Sequence, residues 1–213
     1  MLTKREIFER KGEEVVLDVE IYPNYFLICI EYVKGGRVWF EGTDFNRQML
    51  HWILLNNTVI TFNGNKFDIP IVMYSIFVPE YTEYDLYQLG QDLIENRIRP
   101  WNVGDGLIDW KRTGLDHIDL IELAIGQSSL KTYAGRIHAP YMQDLPYHHT
   151  TVLDKEQKRN VLTYCWNDTN NTKLLKNKLQ KQIDLRIEMS HTYQIDLRSK
   201  SDAQIAEAVI VKE

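Results

Sequence analysis

The 213-residue chain is most informative first in what it has little of. It holds two cysteines, Cys29 and Cys165, with no CxxC spacing. That excludes a disulfide framework. Cys29 sits in an apolar run and Cys165 in an expected helix, and both read as buried thiols. No apolar run is long enough to span a bilayer. The start, Met1-Leu-Thr-Lys-Arg-Glu, is charged and has no apolar signal core. A soluble, reducing, intracellular setting without a membrane partner is the expectation. Basic residues are not in surplus either: 25 Lys and Arg stand against 30 Asp and Glu, a formal charge of −5. A histone-like or basic-arm mode of nucleic-acid binding does not fit that balance. Internal repeats and low-complexity segments are absent from the sequence.

What is present suits a packed domain. Hydrophobic residues make up 44% and aromatics 11%, enough for a sizeable core, and the length favours one domain over two. Val15, Leu17, Val19 and Ile21 alternate with Val16, Asp18 and Glu20, a strand whose second face ends in acids. Tyr25 to Tyr32 is a second strand, and Gly35-Gly36 turns the chain into a third over Arg37 to Phe40. Asp44 is read as the cap of a helix reaching Leu55. Thr58 to Phe62 is a short strand ended by Asn63-Gly64. Helices are expected over Ile69 to Ser75 and Glu83 to Asn96. Arg97 to Asp116 is a long irregular connection with Trp101 and Trp110, read either as a satellite core or as a stacking platform. His117 to Leu123 is a strand passing into a helix, and Ser129 to Arg136 is a short helix. Asp154 with Gln157 starts a helix running past Leu179, and Ser201 with Gln204 starts another reaching Lys212. Three strands followed by alternating helices and strands predict a mixed sheet with helices on its faces.

The acids fall in a pattern. Asp18 and Glu20 are two apart on one strand, so both project from one face, and like charges so close repel. A solvated polar face accounts for that pair equally well. Asn63-Gly64-Asn65-Lys66-Phe67-Asp68-Ile69-Pro70 leaves a strand and opens a helix. Turn formation by Asn63-Gly64 and capping by Asp68 ahead of Pro70 explain all of it except Phe67. Tyr164 and Asp168 share one helical face, a spacing that also occurs by chance.

Read in order, Asp18-x-Glu20, Asn63-x3-Phe67-Asp68 and Tyr164-x3-Asp168 resemble the three exonuclease motifs of the DEDD superfamily, the DnaQ-like exonucleases. The resemblance is to the tyrosine subfamily, as in proofreading domains of phage and family B-type DNA polymerases. A histidine-subfamily member would carry histidine where this chain has Thr163. His117 to Leu123 is similar to that family's fourth core strand, and Ser129 to Ala134 to the short helix after it. The resemblance covers nearly all of residues 13 to 185. It implies a ribonuclease-H-like α/β fold: a five-stranded mixed sheet, three antiparallel strands then parallel ones, with the Asp18 strand central and helices on both faces.

It also implies a two-metal-ion 3′–5′ exonuclease that releases nucleoside monophosphates from DNA 3′ ends in proofreading or end trimming. Two divalent ions, Mg²⁺ or Mn²⁺, suit hard oxygen ligands, and the chain has carboxylates for them but no cysteine or histidine set. By the resemblance, Asp18 bridges both ions, Glu20 and Asp168 complete one, and Asp68 holds the other largely through water. Tyr164 orients the attacking water; a free tyrosine titrates near 10 and is a poor base. Tyr22, Asn63 and Phe67 are the candidates to touch the terminal nucleotide of a single-stranded or frayed 3′ end. Such ions would offset most of the net negative charge, so the acidity does not exclude DNA. The alternatives are an exoribonuclease or oligoribonuclease, and a catalytically silent nucleic-acid-binding module of the same fold.

Beyond the third motif, Lys173, Lys176, Lys178 and Lys181 read as the solvated face of a long helix or as a phosphate track. Residues 1–190 are expected to form the exonuclease domain. Residues 191–213 are an extension with an amphipathic helix, similar to a stretch that follows the exonuclease region in some phage polymerase-like proteins. A polymerase region or protein contacted through that helix is the implied partner, and the cytoplasm of a host cell the implied setting.

Overall fold

The computed structural model describes residues 2–104, 114–126 and 128–211. Its strands are β1 (Glu14–Tyr22), β2 (Tyr25–Tyr32), β3 (Arg37–Glu41), β4 (Thr58–Thr61) and β5 (Asp116–Asp119). They form one sheet in the order β3-β2-β1-β4-β5. β1 is central, antiparallel to β2 and parallel to β4, and β4 is parallel to β5. Gly35 and Gly36, at φ of 99° and 106°, make the turn between β2 and β3 where a side chain would be strained.

Both faces of the sheet are covered. Val15, Leu17 and Val19 of β1 join Phe26, Ile28 and Ile30 of β2 in a core against α2 (Arg47–Asn56), α3 (Asp68–Phe77) and α4 (Glu83–Ile94). The alternate residues face the other way. There Val16, Ile60 and Ile118 pack with α5 (Leu130–Arg136), α6 (Lys155–Lys178) and α7 (Gln180–Tyr193), while Tyr22, Leu27 and Cys29 pack on Val161 and Cys165 of α6. Because side chains alternate across a strand, Asp18 and Glu20 share the face that looks at α6. The expected fold class, a five-stranded mixed sheet with helices around it and the Asp18 strand in the middle, is the one observed.

Several local expectations need correction. The cap of α2 is Asn46, whose Oδ1 accepts from the Met49 amide at 2.9 Å, and not Asp44. Starting later frees Phe45 to pack on Phe26 and Phe40, at ring separations of 6.2 and 5.6 Å. A short helix α1 (Lys4–Phe8) carries a Thr3–Glu6 capping box that the sequence reading passed over. The long helix opens on the expected Asp154–Gln157 box, but it stops at Leu179 and continues as α7. The break keeps Leu175, Leu179 and Ile183 on one core. Lys173 and Lys176 are neither a solvated face nor a phosphate track. Lys173 pairs with the buried Glu31, and Lys176 Nζ lies 2.6 Å from Glu14. Lys178 and Lys181 are exposed.

The last helix, α8 (Asp202–Ile210), opens on the expected Ser201–Gln204 box. The chain ahead of it is tied to the edge strand β5. Ser199 Oγ accepts from the Asp119 amide at 2.8 Å and donates to the His117 carbonyl at 3.1 Å, so it satisfies part of an otherwise open edge. Arg198 pairs with Asp116, Arg186 with Asp202 at 2.7 Å, and Leu197 is fully buried. No helix among the described residues is long and apolar enough to cross a membrane.

Candidate metal centre and cleft

The site forms where the ends of parallel strands meet α6. β1 brings Asp18 and Glu20 to one face, and α6 brings Tyr164 and Asp168 across from them. One carboxylate oxygen each from Asp18, Glu20 and Asp168 lies within 4.8 Å of the others. Asp68 stands outside that trio, at the first turn of α3, but lines the same cleft as Asp18. Its position follows from the chain before it. β4 ends at Thr61, and the chain then turns tightly through Asn63, at φ 63°, and Gly64. A Cβ on Gly64 would lie 2.1 Å from Thr61 Oγ1, so no larger residue fits this turn.

Mutual repulsion and burial govern the electrostatics. Burial first, then the charges of Glu20, Asp68 and Asp168, push the Asp18 carboxyl well above the usual carboxylate range. Glu20 is pushed up by burial and by Asp168 and Asp68. Burial raises Asp68 to about 7, opposed by the amides of Asp68 itself and Val19. Asp168 is raised by burial to about 6, opposed by hydrogen bonds from Tyr164 and Asn167. Burial and the neighbouring carboxylates raise the Tyr164 hydroxyl too, so it stays protonated and acts as a donor to Asp168. Four carboxyls that disfavour their own ionisation together make a set that a cation would relieve.

Two side chains that sequence reasoning missed hold this arrangement. Asp119, at the end of β5 and 1% exposed, accepts from the amides of Asn63 at 2.7 Å and Asn65 at 2.9 Å. It therefore fixes the turn that presents Asp68. The available signal was an acid at the end of a parallel strand next to the Asn63-Gly64 turn. Beneath it, His117 Nε2 lies 2.8 Å from Thr61 Oγ1, and burial lowers this histidine to about 4, so it is neutral. Cys165 is the second: its thiol donates to Asp18 Oδ2 at 3.3 Å and steadies that carboxylate from behind. Both cysteines are free and buried, as read from the sequence.

The expected substrate contacts are placed unequally. Phe67 is half-buried against Gly90 and lines the cleft. Asn63 also lines it, and its side-chain Oδ1 is buried with no hydrogen-bond partner among the described residues. Tyr22 is 1% exposed, with its hydroxyl donating to the Tyr147 carbonyl at 3.3 Å, so it supports the strand end from within the core. The cleft beside Asp18 and Asp68 has a volume of about 720 Å³ and is closed on its far side by Ile94, Arg99 and Trp101. A smaller cleft of about 340 Å³ opens beside Tyr164 and Asp168, where Lys131 pairs with Asp144. Trp110 lies outside the described residues.

Neither a protein-family profile nor a curated protein sequence matches this chain. Among solved structures it is similar to the family B DNA polymerase of the hyperthermophilic archaeon Pyrobaculum calidifontis, at a TM-score of 0.57 and 14% identity. That likeness covers 95% of this chain and 29% of the polymerase chain. A second similarity, to E. coli Exonuclease I in complex with a dT13 oligonucleotide, has a TM-score of 0.32 and 10% identity over 83% of this chain and 44% of that one. It is too slight to carry an argument. The chain thus spans less than a third of the polymerase it resembles, and across nearly its whole length it shares the fold of that part, with its own sheet the mixed, ribonuclease-H-like one.

Proposed function

We propose that this chain is a metal-dependent 3′–5′ exonuclease acting on DNA, and that Asp18, Glu20, Asp68 and Asp168 are its metal ligands. The observation that carries the reading is the convergence of three carboxylates within 4.8 Å, Asp18 and Glu20 from β1 and Asp168 from α6. The donor set fits Mg²⁺ or Mn²⁺, since it offers hard oxygens and no soft ligand. Divalent ions bound there would activate water and offset charge on the attacking and leaving oxygens.

The protein's own groups supply orientation. Asp18, Glu20 and Asp168 form the tight group, with Cys165 and Tyr164 each donating to one of its carboxylates. Asp68 adds a fourth acid from the first turn of α3, its carboxyl accepting from the Val19 amide, and is held by the Asp119-braced turn. Tyr164 keeps its proton and aligns the nucleophile by hydrogen bonding rather than by taking a proton. Asn63 and Phe67 line the cleft where the terminal nucleotide would lie. A role in proofreading or end trimming, with a polymerase region as partner, belongs to the same reading.

The test is digestion of a 5′-labelled single strand in Mn²⁺. The parent should shorten it stepwise from the 3′ end and release mononucleotides. Asp18→Ala should abolish this while leaving the fold intact by circular dichroism. Full activity in that variant refutes the assignment. Parallel strands of DNA and RNA with one sequence decide the sugar preference.

A further inference from the structure

The cleft's far wall is built differently from its floor. After α4 the chain reverses at Asn96, at φ 58°, with the amides of Arg97 and Ile98 returning to the Asp92 carbonyl at 2.8 and 3.2 Å. It then enters a 3-10 turn, Pro100–Asn102. Ile98 packs on the core and Val103 is buried in it at 2% exposure. These two anchors bracket Arg99 and Trp101 and turn both outward. Trp101 is left 60% exposed on the rim. An indole held mostly in solvent by its buried neighbours, on the rim of a cleft, needs a reason.

The cleft's two cations come from different segments, Lys66 from the turn that presents Asp68 and Arg99 from the wall that carries Trp101. The floor is acidic. Lys66 and Arg99, both exposed, are the cations lining the cleft, and among the described residues neither forms an ion pair. In a chain with net charge −5, two cations without an ion pair among the described residues, lining one cleft with an exposed indole and a carboxylate floor, form a local gradient. Phosphates are drawn to the wall, and the floor accepts one only together with a cation.

We propose that Trp101 is a stacking shelf for a base upstream of the one being removed, and that Arg99 and Lys66 take the phosphates on either side of it. The ligand is an unpaired strand, since a base inside a duplex has no free face to offer the indole. This deepens the exonuclease reading and rests on it. Stacking tolerates any base, so the shelf selects for single-strandedness rather than sequence. Trp101 is a binding residue and touches no reacting atom.

Fluorescence anisotropy of a short 5′-fluorescein oligothymidylate, with the full chain in Ca²⁺, tests this. Trp101→Ala should weaken binding roughly 5- to 100-fold, and Trp101→Phe, which keeps a ring, should recover most of it. Arg99→Gln should flatten the dependence of log affinity on log salt by about 0.7, as one lost phosphate contact on a single strand would. A second readout separates shelf from chemistry. The p-nitrophenyl ester of thymidine 5′-monophosphate has no upstream nucleotide, so Trp101→Ala should leave its hydrolysis unchanged while raising KM for the long strand. Unchanged oligonucleotide affinity in Trp101→Ala, or equal parent affinity for a blunt duplex, overturns the proposal. If the parent cuts neither substrate in Mn²⁺, the exonuclease reading falls, and the anisotropy series still decides whether the shelf exists.

Discussion

Replacing Asp68 by asparagine should make the metal-free protein more stable. The folded carboxyl titrates at about 7, because burial disfavours its charge more than the amides of Asp68 and Val19 favour it. In the unfolded chain an aspartate titrates near 4. Above pH 7 the group is ionised in both states, and the folded state carries the cost. Each pH unit of separation is about 1.4 kcal/mol, so that cost is on the order of 4 kcal/mol at pH 8. Asparagine has the same shape, keeps an oxygen for the two amides and carries no charge to repel Asp18 and Glu20. The gain should shrink as pH falls through 7, be nearly gone at 4 and vanish below it, where Asp68 is protonated in both states. Reversible urea unfolding in EDTA, followed by tryptophan fluorescence at pH 8, 6 and 4, measures it. Millimolar Mn²⁺ should narrow or reverse the difference, because the ion stabilises the parent by RT ln(1 + [M]/Kd) and the variant has lost a ligand. A variant no more stable than the parent at pH 8, or a gain that persists at pH 4, refutes the argument that repulsion and burial are held in the empty site.

Three further outcomes are expected. Asp119→Ala strips the amides of Asn63 and Asn65 of their acceptor and should cost on the order of 2–4 kcal/mol in stability. It should also lower kcat by letting Asp68 drift, with Asp119→Asn restoring part of both; an Asp119→Ala protein with parental kcat refutes the bracing role. His117 titrates near 4 folded and near 6.5 unfolded, so the unfolded state binds more protons between those values. Its contribution is complete above pH 6.5 and is lost as pH falls toward 4, by about 3 kcal/mol in total. His117→Gln should lack that acid-side loss, read as the difference between the two proteins' urea midpoints from pH 7 to 4. Gly64→Ala places a carbon 2.1 Å from Thr61 Oγ1, so the turn must open. A destabilisation of at least about 2 kcal/mol together with weakened Mn²⁺ binding by calorimetry is expected, and parental values for both would contradict the packing of that turn.

The periodicity of β1 determined its own outcome: once Val15, Leu17 and Val19 are buried on one face, Asp18 and Glu20 must point to the other. The Asp154–Gln157 and Ser201–Gln204 boxes likewise marked helix starts that the fold keeps, because capping is settled within four residues. The spacings Asp18-x-Glu20 and Tyr164-x3-Asp168 were legible for the same reason, as each lies within one element, while Asn63 to Asp68 spans the turn from β4 into α3. What the sequence could not supply were the meetings between elements. Asp119 reaches Asn63 across 56 positions and Cys165 reaches Asp18 across 147, through contacts that local pattern does not encode. Lys173 and Lys176 looked like a surface stripe until the sheet put Glu31 and Glu14 opposite them. The choice of Asn46 over Asp44 as a cap depended on where Phe45 had to pack. Trp101 could have been core or platform by composition, and the burial of Ile98 and Val103 on either side of it turned it outward. Sequence fixes which face a residue takes within its own element, by the geometry of strand and helix; only the packing of distant elements decides what that face meets.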